Sequence, residues 1–463
     1  MLNQLKLYRT PLLLALLCAV MYGSFAYDLV RSDFPKLITL YAGLCFLSYQ
    51  LLKLQGWNFR FLVVIGIVFR LVFLLATPNL SQDFYRFLWD GQLVAQGVSP
   101  YEFTVQAFMK NPSFYGASMN LASTLHQGMG DLNASHFSNY PPVNQLFFAF
   151  AGTFMGKHIG LGILLLRLPI IMADLGILYF GRKLLKNLQF PQKNIFWYFL
   201  NPFIIIELTG NLHFEGVMLF FVVCGLYLFQ KKQWLGAAAV WALSISTKLI
   251  PLLFLPLFVQ WFWHRKASKS KNIFQLLAFY SLVTIITVLT FVPFVSESFL
   301  NNYVSTTALW FQNFEFNASV YYVIRWIGFQ TIGWNIIESV GKILPLVVVL
   351  FILLLTFFRS NKNAKSLITA MLFAISGYFL LSTTVHPWYL ATPLLLSIFT
   401  KYRFPLLWSV MVMVSYAAYG ETSVEENMVW VAIEYTTVIG FALWELFFRK
   451  TTPEIPLQES QNT

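Results

Sequence analysis

Charge is what this chain has least of. Only 11% of its 463 residues are charged, against 58% hydrophobic and 18% aromatic, a balance foreign to soluble proteins of this length. Cysteine is almost missing too. Cys18, Cys45 and Cys224 all fall inside apolar runs, which excludes an external disulfide framework. No heptads and no Gly-rich phosphate loop are present, and the basic loops between apolar runs are only a handful of residues long, too short for a nucleotide-binding α/β domain. Soluble nucleotide cofactors are thereby excluded. The net charge of +12 comes from short basic clusters between apolar runs, where cytoplasmic loops are expected to carry it, and not from a nucleic-acid-binding surface.

What is present is a series of apolar runs from Pro11 to Phe448, each near the ~20 residues that cross a ~30 Å hydrocarbon layer. The expected fold is an all-α polytopic membrane protein. Basic clusters at Lys6 and Arg9, Lys53 and Arg60, Arg182 to Lys193, Lys231 and Lys232, Arg265 to Lys271, Arg359 to Lys365, Lys401 and Arg403, and Arg449 and Lys450 alternate with acids. Those acids are Asp28 and Asp33, Asp83 to Asp131, Glu297 and Glu315, and Glu421 to Glu426. The alternation predicts cytoplasmic termini, an uncleaved first span and an external segment 78–140. Val143 to Met155 is too short to cross and is expected to be re-entrant or interfacial. Lys248 and Pro251 mark the bend of a short hairpin, and about 13 crossings or half-crossings result. The expected location is a bacterial inner membrane. Asn133-Ala134-Ser135 and Asn317-Ala318-Ser319 are outward-facing sequons, a triplet common by chance.

The expected organisation is an N-terminal hairpin over 1–60, a core module over 61–265 that includes loop 78–140, a C-terminal module over 266–450 with an outer loop 297–320, and a tail over 451–463.

Ser81 to Tyr101, SQDFYRFLWDGQLVAQGVSPY, concentrates the chemistry. Ser81 is the expected N-cap, Asp83 falls in the first turn, and Gly97 with Pro100 supplies the stop. The i, i+3, i+7 spacing puts Asp83, Arg86 and Asp90 on one face, among Phe84, Tyr85, Phe87, Leu88 and Trp89. Elsewhere Glu207, His213 and Glu215 flank a short turn after Asn201-Pro202, and His386 precedes Pro387-Trp388. The outer loop Trp310 to Arg325 carries Glu315 and two aromatics, Trp310 and Phe311, suited to stacking on sugars. Arg167 and Asp174, seven apart in one span, are expected to pair, while Arg70 has no evident partner. An external carboxylate near cations at membrane depth suits one reaction: a base deprotonates an acceptor hydroxyl while the cations stabilise a leaving phosphate held by a lipid.

These stretches resemble, in order, the motifs of GT-C membrane glycosyltransferases, close to the polyprenol-phosphate-mannose-dependent mannosyltransferases. QDFYRFLWDGQLVAQGVSPY resembles the first-loop motif, and Tyr140-Pro141-Pro142 its close. RLPIIMADLGILY, NPFIIIELTGNLHFEG and ISTKLIPLLFLP follow, with HPWYL as a weaker extension. The resemblance implies a GT-C-like bundle with interfacial helices in the first loop, and an inverting hexosyl transfer from a polyprenyl-phosphate donor to a lipid- or glycan-linked acceptor. Asp83 would be the base, with Asp90 a second catalytic candidate. Arg86, Tyr85 and Tyr140 would position the acceptor or the loop. Lys248, Arg325 and His386 would lie near the donor phosphate, with His213 and Glu215 at the cavity wall. Many relatives carry adjacent acids where this chain has Asp83 alone, and His-x-Asp where it has His213-Phe214-Glu215. No cofactor is therefore obligatory, and a divalent metal stays open. Two alternatives remain at this point: a secondary transporter or lipid flippase, for which broken spans would speak, and a polysaccharide polymerase or ligase using lipid-diphosphate donors.

Overall fold

The computed structural model describes residues 2–110, 119–264, 268–312 and 314–449. The side chains of Trp310 and Phe311, the basic residues Arg265 and Lys266, and the tail 451–463 lie outside the described portion.

The chain begins with α1 (Leu2–Tyr27), α2 (Phe34–Gln55) and α3 (Phe59–Val72). Asp33 caps α2 by accepting from Lys36 N–H, and Asn58 caps α3 by accepting from Phe61 N–H. Then come α4 (Asp83–Ala95), α5 (Val105–Met109), α6 (Met119–Ala134), α7 (Pro142–Phe154) and α8 (Ile159–Asn187). No β-strand forms among the described residues, although isolated bridges join Phe316 to Thr384 and Tyr419 to Val424.

Among the described residues seven helices are long and apolar enough to cross a membrane, and eight if the bent pair Pro202–Gly210 and Glu215–Gln230 is one span. Of the expected 13 or so crossings or half-crossings, seven or eight are thus spans of full length, with shorter pieces between them. Trp234–Ile245, Ile250–Trp263 and Phe404–Ala418 are such pieces. The expected third span is the 14-residue α3, and the one near 389–400 is the short helix Ala391–Ser397. Short helices survive here because neighbours cover them: Leu394, Leu395 and Leu396 are all fully buried. Full-length spans instead expose apolar side chains outward, among them Phe274, Leu277, Leu346 and Leu350. That is what lipid requires of a helix whose backbone is satisfied internally.

The N-terminal hairpin is built into the rest. Tyr41 donates to Ser409 O at 2.6 Å, and Asn79 Nδ2 donates to Phe25 O and Leu29 O at 2.7 and 3.0 Å. α4 and α7 cross at backbone contact. A Cβ on Gly91 would sit 2.0 Å from Phe148 O, and one on Gly152 would sit 2.3 Å from the Gly91 carbonyl carbon. The two glycines therefore set how deeply α4 lies in the bundle.

Two buried cations are arranged differently from the sequence expectation. Arg167 does not pair with Asp174; it donates to the carbonyls of Leu74, Ala76, Thr209 and Gly210. Asp174 instead receives Arg70 Nε at 2.8 Å and Tyr198 OH at 3.1 Å. Arg167 spends its fork on carbonyls at the break of the bent span, where helix ends leave acceptors unfilled. The sequon at Asn317 is also closed off. Its side chain is wholly buried, with Nδ2 donating to Glu434.

Candidate active site

Asp83 opens α4, where the aligned N–H dipoles favour a carboxylate. The N-cap is Gln82 and not Ser81; Ser81 Oγ stands one residue further out and accepts from Asp83 N–H at 3.3 Å. Gly97, with φ +77°, ends the helix as expected, and Val98 N–H returns to Leu93 O at 2.9 Å. Gln82 Nε2 donates to Met129 O at 3.0 Å, and the Tyr85 ring lies so close to Gly128 that a Cβ there would come within 2.6 Å of it. Tyr85 thus holds the end of α6 against the start of α4.

The three charged residues of α4 separate in function. Arg86 Nε donates to Asp90 Oδ1 at 2.7 Å, and Arg86 Nη1 donates to Asn133 O and His136 O at 2.8 and 2.9 Å. Asp90 Oδ2 accepts from Ser138 Oγ at 2.5 Å and Gln145 Nε2 at 3.2 Å. Fully buried, with both oxygens engaged, Asp90 is a brace that folds segment 133–138 over α4, and the structure does not leave it free to act as a base. Asp83 is only half-buried and forms no ion pair among the described residues. Burial raises its pKa above the ordinary carboxylate range, with the charge of Glu215 acting in the same direction. Lys248, a hydrogen bond from Asn133 and the charge of Arg31 oppose that shift.

Lys248 does sit at the bend of a short hairpin, between Trp234–Ile245 and Ile250–Trp263. The start of α7 pins the bend: Val143 N–H donates to Ser246 O and Asn144 Nδ2 to Thr247 O, each at 2.9 Å. Lys248 Nζ donates to Glu215 Oε1 at 2.7 Å and lies 5.7 Å from the Tyr140 ring centroid. Tyr140 is positioned by Tyr101, whose OH donates to Tyr140 O at 2.6 Å. Burial holds the Tyr140 phenol well above its usual pKa, an effect that the neighbouring Asp83 charge reinforces.

The opposite wall comes from the broken span, which bends by 116°. Leu212, with φ +63°, carries the reversal, and Asn211 Oδ1 ties it to the approach to α4 by accepting from Leu80 N–H at 3.2 Å. Glu207 lies in a π-helical turn and accepts from Tyr416 OH at 2.8 Å; its other oxygen stands 3.9 Å from His213 Nε2. The His213 ring stacks on Trp388 at 3.8 Å, Trp388 on His386 at 4.6 Å, and His386 on Phe316 at 5.1 Å. Burial, with Lys248 adding repulsion, lowers the His386 pKa to about 4. It is a neutral imidazole near pH 7, and its Nδ1 has no partner among the described residues.

The structure therefore groups Asp83, Tyr140, Lys248, Glu215, His213 and His386. Arg325 is not in that group. It pairs with Glu315 and lies over the Tyr322 ring, 4.2 Å from its centroid. Sequence reasoning missed Arg31, Tyr389, Tyr419, Asn133 and Phe316. Phe316 enters through a backbone pairing, with Val385 N–H donating to Phe316 O at 2.8 Å, and nothing in local spacing announces it. Among the described residues no three His, Cys, Asp or Glu side chains converge as a metal-ligand set.

Residues 26–265, just over half of the chain, match the family described as alpha-(1->6)-mannopyranosyltransferase, N-terminal domain. The chain is 22% identical over 345 residues to the alpha-(1->6)-mannopyranosyltransferase A of Mycobacterium tuberculosis, a region covering 69% of this chain and 61% of that relative. It thus spans less than two thirds of the mycobacterial protein's length. Against the protein of the same name from Corynebacterium glutamicum it is 22% identical over 360 residues, 72% of this chain and 69% of the relative.

Proposed function

Because this chain belongs to the alpha-(1->6)-mannopyranosyltransferase family, we propose that it is a membrane glycosyltransferase moving a mannosyl group from a polyprenyl-phosphate donor to a mannose-bearing lipid or glycan. The observation that carries this reading is Asp83: a half-buried carboxylate without an ion pair among the described residues, its basicity raised by burial, facing the Lys248–Glu215 pair. Asp83 takes the proton of the acceptor hydroxyl as that oxygen bonds to the anomeric carbon. The anomeric carbon–oxygen bond breaks, and its electron pair leaves with the phosphate, which stays on the lipid. In-line attack inverts the centre, so an alpha product, as the relatives' names imply, starts from a beta-linked donor. The acceptor would be a 6-hydroxyl of mannose.

The face is the extracytoplasmic one. Segments that the loop charges assign to that side, around Arg31, Asp83, Phe316, His386 and Tyr419, meet at a single end of the bundle, which supports the assignment.

The test is incubation of detergent-purified protein with labelled polyprenyl-phosphate mannose and a mannose-containing glycolipid. A labelled product cleaved by an alpha-1,6-specific mannosidase is expected from the wild type, and a loss of at least about 100-fold for Asp83→Asn. Near-normal transfer by that variant would remove Asp83 from the mechanism. Product formed without any sealed compartment would rule out transport, and turnover only with a lipid-diphosphate donor would replace the proposed donor.

A further inference from the structure

The cations expected to hold the donor phosphate are already neutralised by the protein itself. Lys248 is paired with Glu215 and Arg325 with Glu315, while the helix cation Arg86 is paired with Asp90. Arg31 differs. It lies in the turn between α1 and α2, and no carboxylate pairs with it among the described residues. The two acids near it in sequence are engaged elsewhere: Asp28 takes Lys36 Nζ at 2.6 Å, and Asp33 caps α2 by accepting from the backbone N–H of Lys36.

Arg31 is nevertheless held in place. Nη1 donates to Leu80 O at 3.3 Å, three residues before Asp83, and the guanidinium lies 4.1 Å from the Tyr419 ring centroid. Its charge acts on both Asp83 and Tyr419. Tyr419 in turn touches Phe316 at 5.8 Å, the ring on which His386 stacks. An oriented guanidinium without a counter-anion, half-buried beside the base, has donors to spare for an anion that arrives with the substrate.

Resting on the transfer reading above, we propose that Arg31 binds the phosphate of the polyprenyl-phosphate donor and that the N-terminal hairpin is present to deliver it. The donor phosphate is a diester with one negative charge. When the sugar leaves, it becomes a monoester that carries the electron pair of the broken bond and gains a second negative charge. A free guanidinium gains more from the dianion than from the monoanion, so Arg31 favours the departing state as well as donor binding. The unpartnered Nδ1 of His386 is a further polar contact available from the Tyr419–Phe316 side.

The experiment compares wild type, Arg31→Met, which keeps an aliphatic stem on Tyr419, and Arg31→Lys. Donor KM, acceptor KM and kcat are measured, together with inhibition by polyprenyl phosphate and by inorganic phosphate. Arg31→Met should raise the donor KM and the inhibition constant for polyprenyl phosphate by about 10- to 100-fold and lower kcat, with acceptor KM unchanged. Arg31→Lys should recover part of each. Inhibition by inorganic phosphate at similar concentrations would show that the headgroup alone suffices; inhibition confined to the lipid would show that the chain is needed too. An unchanged inhibition constant in a folded Arg31→Met protein, or a change in acceptor KM alone, would overturn the proposal. Direct binding of labelled polyprenyl phosphate to wild type and variant gives the same comparison without turnover. Absence of wild-type transfer would therefore count against the mannosyl reading, while the binding arm would still decide the role of Arg31.

Discussion

Arg70 Nε donates to Asp174 Oδ2 at 2.8 Å with both side chains completely buried, and the pair joins α3 to α8 across 104 residues of sequence. Arg70 Nη1 continues to Gly66 O and Phe199 O, and the guanidinium lies 4.1 Å from the Phe199 ring centroid. Removing one partner leaves an uncompensated charge in a dry interior, which typically costs about 3–5 kcal/mol. Asp174→Ala should therefore lower the thermal unfolding temperature in detergent sharply, and Arg70→Met with Asp174→Leu together should recover a good part of that loss. Equal destabilisation by the single and double variants would show that the charge balance is not what the pair supplies.

Asp83 and Asp90 can be told apart by stability. Asp90 holds Arg86, Ser138 and Gln145, whereas Asp83 has no ion pair among the described residues. Asp90→Ala should cost about 3 kcal/mol or more, since it strands the buried Arg86 cation. Asp83→Asn should leave the unfolding temperature within about 1 °C of wild type while abolishing transfer, because an isosteric change at a half-buried carboxylate touches none of the large destabilising mechanisms. Thermal melts and initial rates on the same preparations check both. A stable, inactive Asp90→Ala protein would reverse the two assignments.

The α4–α7 crossing makes a steric prediction. A methyl group at Gly91 or Gly152 meets backbone and not a movable side chain, so α4 has to shift outward. Overpacking of this kind costs about 1–3 kcal/mol, and the shift displaces Asp83 relative to the Lys248 bend that α7 pins. Gly91→Ala should lose stability and activity together, whereas Gly97→Asn, at a helix end where φ is +77° and a Cβ meets open space, should be nearly neutral in both.

Local patterns were read correctly where the determinant is local. The stop at Gly97, the short α7 and the hairpin bend at Lys248 follow from glycine, proline and apolar run length, whereas the N-cap of α4 falls on Gln82 and not on Ser81. The pairing of charges did not, because it depends on which helices are neighbours. Arg167 and Asp174 share one helix, but only the packing of α3 against that helix reveals Arg70 as the partner of Asp174. Run length alone also does not separate crossings from half-crossings: an apolar run can end as a short helix covered by protein, as Ala391–Ser397 does. Arg31 has no local signal either: it sits between Asp28 and Asp33 in sequence, and that one takes Lys36 Nζ while the other caps α2 is visible only in space.

The two members of the Lys248–Glu215 pair should move the pH dependence of transfer in opposite directions. Asp83 must be ionised to accept a proton, so the rate falls as pH drops through its pKa, and burial has already raised that pKa above the ordinary carboxylate range. Lys248 lowers it and Glu215 raises it. Lys248→Met removes a stabilising cation and leaves Glu215 uncompensated, so both changes shift the acid limb of kcat/KM to higher pH. Glu215→Gln removes a repelling anion and frees the Lys248 charge, so the limb shifts to lower pH. His386 is neutral above about pH 4 and adds no protonation step near neutrality. Rate profiles from pH 4 to 9, with donor and acceptor well below saturation, measure the limb directly. Shifts of the same sign in the two variants would mean that the limb belongs to a group other than Asp83.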